Sequence, residues 1–314
     1  MTSTATQFKA KARLGDAIFS RTSIFAGGMI LVTLAAVAIF LIVQSLPAFL
    51  ATGDSASILR EAGNFLAYVW PLIFGTIWAA LLSLVMALPL AIGIALFISH
   101  YAPRKLAQTL GYIVDLLAAV PSVVYGLWGI GVLAPAIQPI YTWMVDNLGW
   151  IPFFAGPVSA TGRTILTAAI VLAVMILPII TAMCREIFLQ TPILHEEAAL
   201  ALGATRWEMI KMAVLPFGRS GIVSASMLGL GRALGETMAV AMVLSASGIV
   251  SIQLLTSANP STIAANIALS FPEAYGENVN VLIATGLILF IVTFLVNAVA
   301  RYIVSRRAEF SGAN

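Results

Sequence analysis

The run AGNFLAYVWPLIFGTIWAALLSLVMALPLAIGIALFIS, residues 62–99, contains no Asp, Glu, Lys or Arg. It is far longer than the roughly 20 residues that carry a helix across about 30 Å of hydrocarbon. The run reads as a membrane span. Four more uncharged runs of sufficient length follow the same logic: Thr22–Gly53, Leu116–Val145, Thr164–Cys184 and Asn278–Ala300. A sixth apolar stretch, Gly221–Gly248, carries only the charges Arg232 and Glu236. Spans are expected near 24–46, 72–98, 111–134, 164–184, 221–247 and 279–301. Pro121 inside the third, with Pro135 and Pro139 just after it, predicts a kink or a broken span. Thr262–Phe271 is too short to cross and reads as a helix in the outer interface. The fold class is all-α, a polytopic membrane bundle of six transmembrane helices.

Composition agrees. Of 314 residues, 61% are hydrophobic and 9% charged, and the mean hydropathy is +1.02. A wetted soluble surface needs about a quarter charged residues. The net charge of +3 does not signal nucleic acid, because the basic residues are sorted by side. With the N-terminus inside, Lys9, Lys11, Arg13, Arg21, Arg104, Lys105, Arg185, Arg206, Lys211, Arg219, Arg301, Arg306 and Arg307 fall in cytoplasmic segments. Arg60 and Arg163 fall outside and Arg232 within a span. Thirteen of sixteen basic residues inside orients the bundle, with both termini cytoplasmic. The first uncharged run, 32 residues long, exceeds the core of a cleaved leader and reads as a retained anchor. The single cysteine, Cys184, excludes an internal disulfide and reads as a buried thiol. His100 and His195 have no metal-ligand spacing, so no metal site is expected. The outer segment Tyr141–Arg163 is rich in aromatics, as suits a water–lipid boundary.

The largest polar stretch, Arg185–Arg219, is too short to bury a core and must dock on something. Thr191-Pro192 offers a cap and a first-turn proline for a helix through Glu196, Glu197 and Leu202. Gly203 then ends it in a left-handed turn. Thr205-Arg206-Trp207-Glu208 is a capping box for a second helix, expected to stop near Leu215-Pro216. The product is a rigid knuckle on the cytoplasmic side.

Glu197-Ala198-Ala199, Gly203 four residues on, and Leu215-Pro216 resemble the EAA loop of bacterial ABC importer permeases. Ala213 stands where that pattern has isoleucine. The stretches Asp115–Gly126 (DLLAAVPSVVYG) and Gly229–Val240 (GLGRALGETMAV) resemble the PstC family of phosphate-specific ABC transporter permeases. The resemblance covers roughly 72–305. It implies a MetI-like, type I importer fold over 72–305, with a coupling loop at 185–219. Residues 1–71 are then a tail, first span and outer loop, and 306–314 a cytoplasmic tail. It implies import of inorganic phosphate across the bacterial cytoplasmic membrane. The partners would be a second, PstA-like permease, a PstB-like ATPase dimer and an external PstS-like phosphate-binding protein. Glu197, Ala198, Ala199, Gly203, Leu215 and Pro216 would couple to the ATPase. ATP and Mg would be bound there and not by this chain, which has no Gly-Lys-Ser/Thr loop, no catalytic residue and no cofactor of its own. A permease for molybdate or sulfate is the near alternative. A secondary transporter is the distant one, disfavoured because it needs no ATPase socket.

Arg232 lies about 20 Å, and Glu236 about 25 Å, along a helix from Arg219, so both should sit in the hydrocarbon layer. A central charge costs about 2.5–3.5 kcal/mol on insertion scales, so neither should face lipid. Four residues apart, they can pair. They are either a structural tie between helices or, with Thr237, a polar station for the solute. A guanidinium fork suits phosphate oxygens. Gly231, Gly235 and Ala239 form a small-residue stripe expected to serve close packing. Asp115 either caps or pairs with Arg104 or Lys105, or lines the inner exit.

Overall fold

The computed structural model describes residues 14–53 and 55–308. Lys9, Lys11 and Arg13 of the basic tail lie outside the described residues, as does the chain from 309 onward. The described chain is helical almost throughout. Its helices are α1 Leu14–Ser45, α2 Phe65–Leu96, α3 Arg104–Ala118, α4 Ser122–Trp128, α5 Ala134–Leu148, α6 Ile165–Leu189, α7 Ile193–Ala201, α8 Arg206–Met209, α9 Leu215–Leu234, α10 Met238–Val243, α11 Ile263–Ser270 and α12 Glu277–Ala308. Two short parallel strands, β1 Ala246–Ser247 and β2 Asn259–Pro260, pair in the outer loops.

Six helical segments are long and apolar enough to cross a membrane: Ile18–Phe49, Phe65–Tyr101, Ser122–Leu148, Ile165–Leu189, Arg206–Leu234 and Glu277–Tyr302. The expected number of spans stands, but two of them need correction. The third is not 111–134. The chain breaks at Ala119–Pro121, because Pro121 has no amide to continue the ladder and biases its neighbour away from helix. Residues before the break form α3, an amphipathic helix with Leu106, Tyr112 and Leu116 exposed on it. The span begins at Ser122 and runs to Leu148, with one widened π turn at Gly129–Leu133. Tyr141 is therefore not an interfacial loop residue. It is buried inside the span, its hydroxyl 2.8 Å from Thr167 Oγ1.

The fifth span is not one helix over 221–247. The helix from Arg206 runs on through Leu215-Pro216 rather than stopping there. A π turn at Ile210–Val214 absorbs the clash Pro216 would make one turn back. It ends instead at Leu234, and α10 restarts after Gly235-Glu236-Thr237.

The core is α6 packed between α2 and α9. On α2 every fourth residue of one face is small and buried: Gly75, Ala79, Ser83, Ala87, Ala91 and Ala95. That stripe lets backbones approach without a hydrophobic driving force, which lipid removes. On α9 the equivalent stripe is Ala225, Gly229 and Ala233, with a Cβ on Gly229 only 2.6 Å from Ile180 Cδ1. The expected Gly231–Gly235–Ala239 stripe is thus two residues off this register, although Ala239 is buried and packs closely on α4. A side chain on Gly231 would meet nothing, and Gly235 and Ala239 lie past or at the break. Cys184 is buried in the same core. By contrast, α1 packs mainly on α12, tied by Asn280 Nδ2 to the Gln44 carbonyl at 2.8 Å, and is otherwise lipid-facing.

The outer loops are woven into a cap. The amides at the start of α6 are each met: Ile165 by Asn259 Oδ1 at 3.1 Å, Leu166 by the Leu254 carbonyl at 3.3 Å, and Thr167 by Thr164 Oγ1 at 3.2 Å. These are donors a helix cannot satisfy itself. Fully buried Asn259 also donates to the carbonyls of Ser245 and Thr256. The Thr262–Phe271 stretch is helical, as α11, with Ile263, Ala264 and Ala265 buried. It packs against α2, α10 and α12, more deeply than an interfacial helix would.

Cysteine labelling in a Cys184→Ser background checks the orientation. Exposed positions 60 and 146 are expected to react from outside only, and exposed positions 105 and 206 from the cytoplasm only. An inverted pattern at either pair overturns the sidedness drawn from the basic residues.

Candidate functional site

The two broken spans meet each other. α10, after the break in the fifth span, packs on α4, after the break in the third. Gly126 permits it: a Cβ there would lie 3.0 Å from both Ala239 Cα and Met242 Sδ. Gly129 does the same one turn on, against Val171 and Val243. Tyr125 donates from its hydroxyl to the Leu117 carbonyl at 2.9 Å, bridging the Pro121 break. The part of the first stretch after the break, 122–126, and the second stretch, 229–240, therefore form one locus. Interrupted helices of this kind are tolerated at membrane depth where they line a cavity or are buried in protein.

Arg232 stands on the last turn of α9. It does not pair with Glu236. The (i, i+4) geometry needed a continuous helix, and the helix ends between them. Glu236, 9% exposed, instead turns its Oε1 to the Ala239 amide at 3.1 Å, satisfying an orphan donor at the start of α10. Thr237 donates to the Gly235 carbonyl at 3.2 Å, across the break. Arg232 is left with no hydrogen bond or ion pair among the described residues, and its Nε is buried. Its charge is within reach of the Tyr125 hydroxyl. Its planar fork of donors meets no acceptor among the described residues.

Asp115 is not part of that locus. It lies on exposed α3, 3.7 Å from Arg185 Nη2, which also bonds Glu186 Oε1 at 2.8 Å. Its partner is neither Arg104 nor Lys105. Gly111, one turn before it, leaves room for the Arg185 guanidinium.

The knuckle is built much as expected. α7 ends at Ala201 with Leu202 as its C-cap, and Gly203 follows at φ +87°. The Gly203 amide donates to the Leu200 carbonyl at 3.0 Å and that of Ala204 to Ala199 at 3.2 Å, the paired bonds of a Schellman ending. Thr205 and Glu208 make the capping box. Thr191, however, makes no cap bond; α7 starts one residue later with Pro192 before it, and Thr191 Oγ1 is buried without a partner. Ala199 is buried, whereas Glu197 and Ala198 face outward. Ile193, Leu194 and Leu202 are exposed apolar side chains on the same projection, Leu202 at 88%. His100, at the inner end of the second span, holds the knuckle through Glu196 at 3.4 Å, a contact that sequence spacing did not point to.

Residues 87–309 match the model of the family described as binding-protein-dependent transport system inner membrane component. The chain belongs to that family. Within it, this permease is 47% identical over 301 residues to phosphate transport system permease protein PstC 2 of Mycobacterium tuberculosis, covering 93% of this chain and 92% of that one. It is 41% identical to PstC of Mesorhizobium japonicum, over 96% of this chain and 93% of the relative. The fold resembles that of a chain from the inward-facing MetNI methionine ABC transporter, at TM-score 0.52 and 19% identity, covering 77% of this chain and 95% of that one. This binding-protein-dependent permease is thus a multi-pass membrane subunit of an ABC importer with the type I, MetI-like fold. It works with an ATPase and other components.

Proposed function

We propose that this permease carries inorganic phosphate inward across the bacterial cytoplasmic membrane by alternating access. The observation that carries the reading is the half-buried Arg232 at the break of the fifth span, whose buried Nε has no partner among the described residues. The names of the relatives point the same way. Its forked donors fit two oxygens of a tetrahedral oxyanion. Glu236 gives one carboxylate oxygen to the α10 amide. Its other oxygen can accept the proton that phosphate still carries at neutral pH. Sulfate and molybdate are fully ionised there and would meet only repulsion from that oxygen. Thr237 adds a hydroxyl at the same break. Glu197, Ala198, Ala199 and Gly203, with the exposed Leu202, seat the knuckle in a PstB-like ATPase dimer, and Leu215-Pro216 starts the helix that carries the thrust to Arg232. A PstA-like second permease and a PstS-like binding protein complete the assembly. The chain itself holds no cofactor and catalyses no reaction.

The assay uses the whole transporter in proteoliposomes, with its binding protein outside. Phosphate is expected to drive uptake and to stimulate ATP hydrolysis, and sulfate and molybdate to do neither. Equal stimulation by sulfate removes the phosphate assignment and leaves an oxyanion permease of another selectivity.

A further inference from the structure

Among the described residues, two buried Arg Nε atoms lack a hydrogen-bond partner, and they stand at opposite ends of one short helix. Arg232 precedes α10. Arg163 lies at its far end, where Nη2 donates to the Leu244 carbonyl at 3.2 Å just beyond the last turn. No other hydrogen bond and no carboxylate reaches Arg163 among the described residues. α10 is six residues long, about 9 Å.

A cation at a helix C-terminus is favourable, and one hydrogen bond to Leu244 serves as a cap. That role needs one donor. Lysine or glutamine could fill it. It leaves unexplained a guanidinium whose Nε is sequestered from water with nothing to donate to, which is costly unless an acceptor arrives. The same circumstance holds at Arg232, where an anion is the proposed acceptor.

We infer that Arg163 is a second anion-binding residue of the pathway, on the outer side of the break. A tetrahedral oxyanion with two or more acceptor oxygens is held there before it moves along α10 to Arg232. This rests on the reading of Arg232 given above. All six residues of α10, Met238 to Val243, are uncharged, so nothing on that helix competes for the anion between the two stations. Two sites of moderate strength suit conduction better than one strong one, because the solute must be able to leave.

The test uses the full transporter in proteoliposomes. Arg163→Gln keeps a donor for Leu244 but loses the charge. It is expected to assemble and melt like the parent while phosphate uptake falls by about tenfold or more, the scale of one charge-assisted hydrogen bond. Arg163→Lys should keep an intermediate rate. In a Cys184→Ser background, phosphate should slow thiol modification of Thr161→Cys, an exposed position two residues from an intact Arg163, which a purely structural cap would not produce. Parental uptake by Arg163→Gln overturns the inference. Should that variant fail to assemble, absence of phosphate protection in Thr161→Cys overturns it instead. If the parent carries sulfate rather than phosphate, only the substrate reading fails, and the same variants are scored with sulfate.

Discussion

Arg232→Ala is expected to lower phosphate uptake about a hundredfold at matched membrane levels, the scale of two charge-assisted hydrogen bonds. Subunit assembly should be unharmed. The two expectations follow from one fact: the guanidinium makes no hydrogen bond or ion pair among the described residues, so truncation orphans no partner. Removing one member of a buried ion pair does the opposite and destabilises strongly. Arg232→Lys keeps charge without the planar fork and should recover only part of the rate. Glu236→Gln retains an acceptor for the Ala239 amide and should be milder than Glu236→Ala, which loses a cap worth about 1 kcal/mol. Because Glu236 serves the backbone and not Arg232, the Arg232→Ala/Glu236→Ala double variant should transport no better than Arg232→Ala. A double-mutant cycle on uptake reads this directly. Restored uptake in the double variant would show a packing pair after all, and would end the pathway assignment.

Gly203→Val should uncouple the transporter while leaving the permease inserted. At φ +87° a β-branched residue is badly placed, and the strain is of order 1–2 kcal/mol or more. Nothing lies within 4 Å of the new Cβ, so the effect is backbone strain alone, with no clash to confuse it. Relief comes from opening the Schellman ending, which swings α7 away from the capping box at Thr205. The expected result is loss of ATPase co-purification and of uptake together. Gly203→Asn, which tolerates the left-handed region, should be clearly milder. Normal ATPase retention by Gly203→Val would remove the knuckle from the docking surface.

The sequence made the spans visible because hydrocarbon imposes length and apolarity, and both are countable. It misplaced the third span because Tyr112, Ile113, Leu116 and Leu117 extend the apolar run without belonging to it. They sit on α3, and Pro121 was the better boundary marker. The paired reading of Arg232 and Glu236 failed for a related reason. Four-residue spacing means a shared face only while the helix continues, and Gly235 was the signal that it does not. The knuckle was legible because its parts are local: a left-handed glycine and a capping box span a few residues. What stayed hidden joins distant segments. Asn259 binding the start of α6, Arg163 closing α10 and His100 meeting Glu196 each cross about 80 residues or more, and no periodicity records such meetings.

The cap over the start of α6 also sets an order of events during synthesis. The Ile165 amide waits for the Asn259 side chain, 94 residues later in the chain. At ribosomal rates that delay is about 5–20 seconds. For that interval the fourth span is already threaded, its leading amides held by water at the outer face. Only when the segment after the fifth span has been exported can Asn259 knot the outer loops shut. The emerging chain is therefore closed from its outer side late, by a residue that belongs to no span, and α12 enters a bundle whose lid has just been fastened.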